Sequence, residues 1–110
     1  MSTEIYDDEV YDMLVWHGSK YLDRKKPDWL ESIDTSVLDL RNGELCVLGQ
    51  TLGSFWNGLE ELDISAEKAE RYGFFIMDHR GQNMGLAYSR LTEAWLRRIT
   101  SLRKKRGLDK

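Results

Sequence analysis

The fold is decided by the segment Cys46-Val47-Leu48-Gly49-Gln50-Thr51-Leu52-Gly53-Ser54-Phe55-Trp56, which carries the most regular apolar pattern of the chain. Its large apolar residues recur at spacings of one and four and continue to Leu59. This pattern predicts one buried helix of about thirteen residues. Gly49 and Gly53 share a face of that helix, and each destabilises it by about 0.5–1 kcal/mol. We therefore expect close packing against another helix or an aromatic ring to offset this cost.

Helical periodicity on both sides of this segment predicts further helices. They cover 6–23, 28–33, 65–71 and, from about Gly85, a last helix to Lys105. The predicted inward stripe of the first helix consists of Tyr6, Val10, Met13, Leu14, His17 and Tyr21. The predicted stripe of the last helix consists of Ala87, Tyr88, Leu91, Trp95, Ile99 and Leu102.

Together these elements predict a mostly α-helical fold, a compact bundle of four to five helices. The stretch 74–84 is compatible with one short β-hairpin or with a loop. We expect a single helical domain over 1–102, followed by a basic tail over 103–110 that frays. The predicted structural core consists of Cys46, Leu48, Gly49, Leu52, Gly53, Phe55, Trp56, Leu91 and Trp95.

The composition of the chain indicates the cellular compartment in which it works. A single cysteine, Cys46, excludes an intrachain disulfide. The opening residues 1–9 are acidic where a secretory signal has a basic start and an apolar run. No apolar stretch approaches the roughly 18 residues of a transmembrane helix. These features predict a location in the reducing cytoplasm, with no membrane association.

The chain offers few residues for catalysis or metal binding. Cys46, His17 and His79 are the only cysteine and histidine residues, whereas structural zinc takes about four such ligands. Gly49 and Gly53 lie in an apolar segment without the lysine of a phosphate-binding loop. A Cys-His pair assembled by the fold is an alternative, but a buried, structural Cys46 is favoured. We expect no enzyme, no metal and no cofactor.

Charge is divided unevenly along the chain. Residues 97–110 carry +6 and the first 96 residues carry −9, in a chain of net charge −3. The basic residues of the last helix could contact nucleic acid, or they could form a solvated helix end that folds against the acidic body. They are Arg97, Arg98, Arg103, Lys104, Lys105 and Arg106.

Two other groups of residues are candidates for binding. Trp16 falls beside the predicted stripe of the first helix, so Tyr11 and Trp16 could flank an interaction groove. Arg71, Arg80 and Arg90 could contact an anionic ligand such as a nucleotide, with nearby rings for stacking.

The box Cys46-Val47-Leu48-Gly49-Gln50, together with looser matches between Trp29 and Trp95, resembles a group of uncharacterised small proteins of actinobacteriophages, mycobacteriophages especially. The box is the most distinctive match, and it is followed by Gly53 and Phe55-Trp56. Many members carry a further cysteine just before the box. Here Asn42-Gly43-Glu44 stand instead, so a cysteine-pair or metal role does not transfer. The resemblance implies a phage or prophage origin and action inside the bacterial host cell.

These observations lead to three functional hypotheses. The first is a non-enzymatic phage-type accessory protein that binds a host or phage protein through an aromatic or charged face. A homodimer that pairs the acidic body with the basic tail is a variant of it. The second is nucleic-acid binding through the basic C-terminal helix. The third is sequestration of a nucleotide or another small anionic ligand.

Overall fold

The computed structural model of the protein describes residues 8–76 and 84–107, and these residues form six helices and no strand. The helices are α1 (Asp8–Lys25), α2 (Trp29–Ser32), α3 (Val47–Leu52), α4 (Phe55–Leu62), α5 (Ala66–Arg71) and α6 (Met84–Lys105). The predicted mostly α-helical class is confirmed. The described helices outnumber the four to five predicted because the central segment forms two helices instead of one.

Gly53 separates those two helices, so the prediction of one continuous helix is wrong. Its φ of 100° lies where residues with a side chain are strained, and its N–H donates to the carbonyl of Gly49 to close α3. Ser54 then caps α4, because its hydroxyl accepts a hydrogen bond from the Asn57 N–H at 3.0 Å. Gly53 is exposed, which also removes it from the predicted core.

Gly49 does mark a close approach, but its neighbour is a loop. A Cβ on Gly49 would lie 2.5 Å from the carbonyl oxygen of Gly43 and from the carbonyl carbon of Glu44. The expected contact with a helix or a ring is therefore corrected to contact with the backbone of the preceding turn. Because that turn lies so near, α3 is held against residues 43–44.

The two long helices, α1 and α6, run parallel along one side of the molecule. Side chains join them at successive levels: Arg97 bonds to Asp12 at 2.8 Å, and the Nε of Arg98 donates to the Ser19 hydroxyl at 2.9 Å. Arg106 bonds to Asp23 at 3.0 Å. Since residue numbers increase together on both helices, their C-terminal turns lie at the same end.

Aromatic rings fill the core between the helices. Trp29 and Trp95 meet edge to face at 5.9 Å, and Phe74 stacks on Trp95 at the same separation. The indole N–H of Trp95 donates to the Gly73 carbonyl at 2.7 Å. The predicted burial of Leu91 and Trp95 is confirmed, as is that of Cys46, Leu48, Gly49, Leu52 and Phe55.

The predicted inward stripe of α1 is confirmed at Tyr21 and in part at Leu14, which packs against the core, and it is wrong at Met13 and His17. Tyr6 lies outside the described residues. The buried residues of α1 are Tyr11, Val15, Gly18, Ser19, Tyr21 and Leu22. Met13 is 56% exposed and His17 is also exposed. Gly18 faces inward because only a residue without a side chain fits against the backbone of Tyr72 there.

The stretch proposed as a hairpin is irregular where it is described. Residues 74–76 form no strand, and Ile76 exchanges both backbone hydrogen bonds with the Tyr88 hydroxyl, at 3.0 and 2.9 Å. Residues 77–83, which would hold the rest of the hairpin, lie outside the described residues.

The first residues of the predicted basic tail belong to α6. The helix continues through Lys105, and Arg103 donates to the carbonyls of Leu30 and Ile33. Arg106 reaches Asp23 on α1. Arg103 and Arg106 thus bond to the body of the protein, as expected for a helix end that folds against it.

Candidate functional site

Trp56 lies on the surface, which corrects its assignment to the core. Its side chain is 72% exposed, whereas the neighbouring Phe55 is buried. The two rings meet edge to face at 5.1 Å. Because α4 begins at Phe55, directly after the Ser54 cap, Phe55 points into the core and Trp56 points away from it.

Trp56 lines two depressions in the surface. One, of about 600 Å³, is also lined by Ser54, Asn57, Leu59, Glu60, Asp63 and Ile64. The other, of about 250 Å³, is bordered by Arg41, Phe55, Phe75 and Tyr88 and reaches Cys46. The exposed indole is therefore flanked by space into which a partner could insert side chains. We call Trp56 with Ser54, Asn57, Glu60, Asp63 and Ile64 the Trp56 surface.

The Trp56 surface is acidic. Residues 54–64 contain Glu60, Glu61 and Asp63 and no lysine or arginine. All three acids are exposed. An exposed ring beside carboxylates suits a partner that offers both apolar and positively charged groups.

The candidate pair Tyr11 and Trp16 is divided between the core and the surface. Tyr11 is 1% exposed and belongs to the core, so its assignment to an interaction surface is wrong. Trp16 is 46% exposed and lines a groove of about 260 Å³ between α1 and α6. Arg98 and the ion pair of Arg97 with Asp12 line the same groove. The Nζ of Lys20 lies 5.5 Å from the centroid of the Trp16 ring.

The six basic residues predicted as a contact surface have different surroundings. Arg97 pairs with Asp12, and this hydrogen bond raises the pKa of the arginine. Arg98 is half-buried beside Ser19, and burial lowers its pKa. Arg103 bonds to backbone carbonyls of α2, and Arg106 pairs with Asp23, as described above. Lys104 and Lys105 are exposed.

Cys46 has a structural position at the start of α3. The thiol is buried, and its sulfur accepts a hydrogen bond from the Gly49 N–H at 3.3 Å, which makes it the N-cap of the helix. Burial raises the pKa of the thiol. The predicted burial of Cys46 is confirmed.

The described residues bring no metal-binding cluster together. Within 8–76 and 84–107, no group of three or more histidine, cysteine, aspartate or glutamate side chains is placed to hold an ion. His17 is exposed beside Trp16, with ring centroids 5.2 Å apart, and His79 lies outside the described residues.

The three candidate anion contacts are not brought to one site by the described structure. Arg71 is exposed at the end of α5, and Arg90 pairs with Asp8 at 3.5 Å. Neither side chain lines any of the three depressions described above. Arg80 lies outside the described residues.

Sequence reasoning missed the exposure of Trp56 and a second basic segment, Arg24-Lys25-Lys26. The Ser54 cap and the acidic run after Trp56 are the signals that could have placed the indole outside. No local signal singled out residues 24–26, because they join the basic residues of α6 only through the parallel packing of α1 and α6.

Comparison with known proteins identifies no relative: no family model, no curated protein and no solved structure matches the chain. Among the described helices, none has the length and apolar character that crossing a membrane requires.

Proposed function

We propose that this chain is a non-enzymatic accessory protein that binds a host or phage protein through the Trp56 surface. The exposure of Trp56 carries the proposal. Tryptophan is the residue type most enriched among those that dominate binding energy at interfaces, and leaving such a ring in water forgoes about 1.5–3 kcal/mol of burial. A binding partner would recover that free energy.

The chemistry of the surface defines the partner. Glu60, Glu61 and Asp63 would attract a segment that carries lysine or arginine beside an apolar residue. The indole would contact the apolar residue of that segment, and the depressions on either side would accept the partner's neighbouring side chains. The resemblance to phage proteins favours action in the cytoplasm of a bacterial host, on a host or phage protein.

A capture experiment with matched variants tests this proposal. Immobilised wild-type protein, Trp56→Ala and Trp16→Ala are exposed to lysate from infected and uninfected actinobacterial cells, and retained proteins are identified by mass spectrometry. We expect a protein retained by wild type and by Trp16→Ala but lost with Trp56→Ala. Titration of that purified protein should show the same loss.

Equal retention by all three proteins, or the absence of a selectively retained protein together with measured turnover of a substrate, would end the proposal. A second copy of this chain is a further partner to examine, because its basic end could meet the acidic surface. Sedimentation at low and high salt separates that case, since such a dimer would dissociate as salt screens the charges.

A further inference from the structure

The end of the molecule where α1 and α6 terminate is strongly cationic. Because the two helices are parallel, residues 20–28 lie near residues 98–107: Arg98 bonds to Ser19, and Arg106 bonds to Asp23. The first segment contains four basic and two acidic residues, and the second contains five basic residues and no acid. The two helix C-termini contribute a negative potential of about half a charge each. That is too little to balance a surplus of this size.

Several of these cations have no carboxylate to balance them. Within the described part of the chain, Arg97 and Arg106 form ion pairs and Arg103 bonds to carbonyls. The remaining exposed cations form no ion pair with any described residue. They are Lys20, Arg24, Lys25, Lys104 and Lys105. Lys20 lies over the Trp16 ring, and Arg24 and Lys25 lie over the Tyr21 ring. Dipole compensation explains some basic residues here, but not so many without a carboxylate.

Arg98 brings a positive charge into the groove between the helices. Its Nε donates to the Ser19 hydroxyl, and the described residues place no carboxylate within ion-pair distance of it. Its two terminal nitrogens are left without an acceptor among those residues. A planar guanidinium of this kind is suited to a phosphate group, which accepts two hydrogen bonds side by side.

Trp16 adds an aromatic ring to the same groove. The ring is nearly half exposed and lies beside Arg98 and under Lys20. An aromatic face within a positively charged groove is the arrangement that proteins use for single-stranded nucleic acid, because bases stack on the ring while cations follow the phosphates.

We propose that the groove lined by Trp16 and Arg98, together with Lys20 above the ring and the exposed Lys104 and Lys105 further along α6, binds single-stranded nucleic acid. A base stacks on Trp16 and phosphates lie against the cations. The net negative charge of the chain does not prevent this, since charges more than about 8 Å apart are largely screened at physiological salt. A duplex fits less well, because its bases are already stacked. The Trp56 surface takes no part, so this site is independent of the proposed protein contact.

Fluorescence anisotropy with labelled 12-nucleotide strands tests this inference on the full chain. Oligo-dT, oligo-U and a 12-base-pair duplex are titrated between 25 and 200 mM salt. We expect both single strands to bind more tightly than the duplex, with affinity falling as salt rises. The logarithmic slope is about −0.7 per phosphate neutralised. Lys104→Gln with Lys105→Gln should make that slope shallower by about 1.4.

Trp16→Leu should weaken binding of the single strands about 5- to 150-fold, the range measured for loss of one stacked base, and should leave the salt slope unchanged. Trp56→Leu is the matched aromatic control, and Lys68→Gln with Arg71→Gln on α5 is the charge control. Neither control should change the affinity. Circular dichroism confirms that each variant is folded.

Three outcomes would overturn the inference. The first is that no single strand binds at 25 mM salt. The second is that the α5 charge control loses as much affinity as Lys104→Gln with Lys105→Gln. The third is binding of polyglutamate as tight as that of oligo-dT with no effect of Trp16→Leu, which would assign the groove to acidic proteins instead.

Discussion

The α-carbon of Gly18, in the middle of α1, packs against the backbone carbonyl of Tyr72, and a Cβ at position 18 would overlap that oxygen. The same Cβ would lie 3.1 Å from the ring of Trp95. A glycine in a helix interior ordinarily costs stability. Here it is what lets α1 approach the segment after α5.

We predict that Gly18→Ala lowers the free energy of unfolding by about 2–3 kcal/mol, because the backbone of Tyr72 must move away. Helix propensity alone predicts the opposite, a gain of about 1 kcal/mol. Urea denaturation followed by circular dichroism measures the difference. Ser101→Ala, at an exposed position of α6, is the control and should change stability by less than about 0.5 kcal/mol. A stabilised Gly18→Ala protein would contradict the packing.

Gly53→Ala should also destabilise the protein, by about 1–3 kcal/mol, for a different reason. There is room for a methyl group, since its nearest neighbour would be the Asn57 side chain at 3.7 Å. The cost comes from the φ of 100°, which alanine adopts only with strain. If α3 and α4 were instead one continuous helix, alanine would stabilise it. The sign of the change in a denaturation experiment therefore decides between the two.

Stability should depend on pH through Cys46. Burial raises the pKa of its thiol in the folded protein. The contribution is fully present below the unfolded pKa of about 8.5 and is lost as pH rises above it, because the unfolded chain ionises first. The loss is at most about 1.4 kcal/mol per pH unit.

Cys46→Ser is the comparison, since serine keeps an acceptor for the Gly49 N–H and does not ionise in this range. We expect the urea midpoints of wild type and Cys46→Ser to diverge between pH 8 and 9.5. Tyr21 and Tyr88, whose pKa values burial also raises, ordinarily titrate near pH 10 and are present in both proteins. Parallel curves would show that the thiol is not buried.

Trp56→Ala should change the free energy of unfolding by less than about 1 kcal/mol, as expected for a residue outside the core. Trp95→Ala removes a fully buried ring and should cost about 3–5 kcal/mol. Chemical denaturation of both variants provides the comparison. A large loss of stability with Trp56→Ala would show that this residue belongs to the core and would contradict the proposed protein contact.

The helical class, the extent of α6 and most of the core could be predicted, because they depend on periodicity within one segment. The break at Gly53 could not, since a helix with two glycines and two capped helices share the same apolar pattern around Leu52. The inward face of α1 was also missed in part. Apolar residues lie on several of its sides, and the choice depends on Gly18 meeting a distant carbonyl.

The candidate sites show the same limit. Periodicity correctly predicted that Trp16 lies outside the core. It wrongly predicted that Trp56 lies inside, because the indole points outward only when a new helix starts after Ser54. The basic residues of α6 were visible in the sequence. Their pairing with 24–26 required the tertiary contact between α1 and α6.

Arg103 and Lys104 are adjacent in sequence, yet they should respond to substitution in opposite ways. The guanidinium of Arg103 bonds to the carbonyls of Leu30 and Ile33, and so satisfies backbone groups where α2 ends. Arg103→Gln should lower the free energy of unfolding by about 1.5–3 kcal/mol, the scale of hydrogen bonds to a charged group. Lys104 is exposed and unpaired among the described residues, so Lys104→Gln should change stability by less than about 0.5 kcal/mol.

Nucleic-acid affinity should respond in the reverse order. Lys104→Gln removes a cation that is free to meet a phosphate, so it should weaken oligo-dT binding and reduce the salt slope by about 0.7. Arg103→Gln, measured at a temperature where the variant is fully folded, should reduce the slope less than Lys104→Gln does, because one terminal nitrogen of Arg103 already donates to the Leu30 and Ile33 carbonyls. If the two variants lowered the slope equally, Arg103 would contact phosphates as Lys104 does, and the distinction between the two residues in nucleic-acid binding would be wrong.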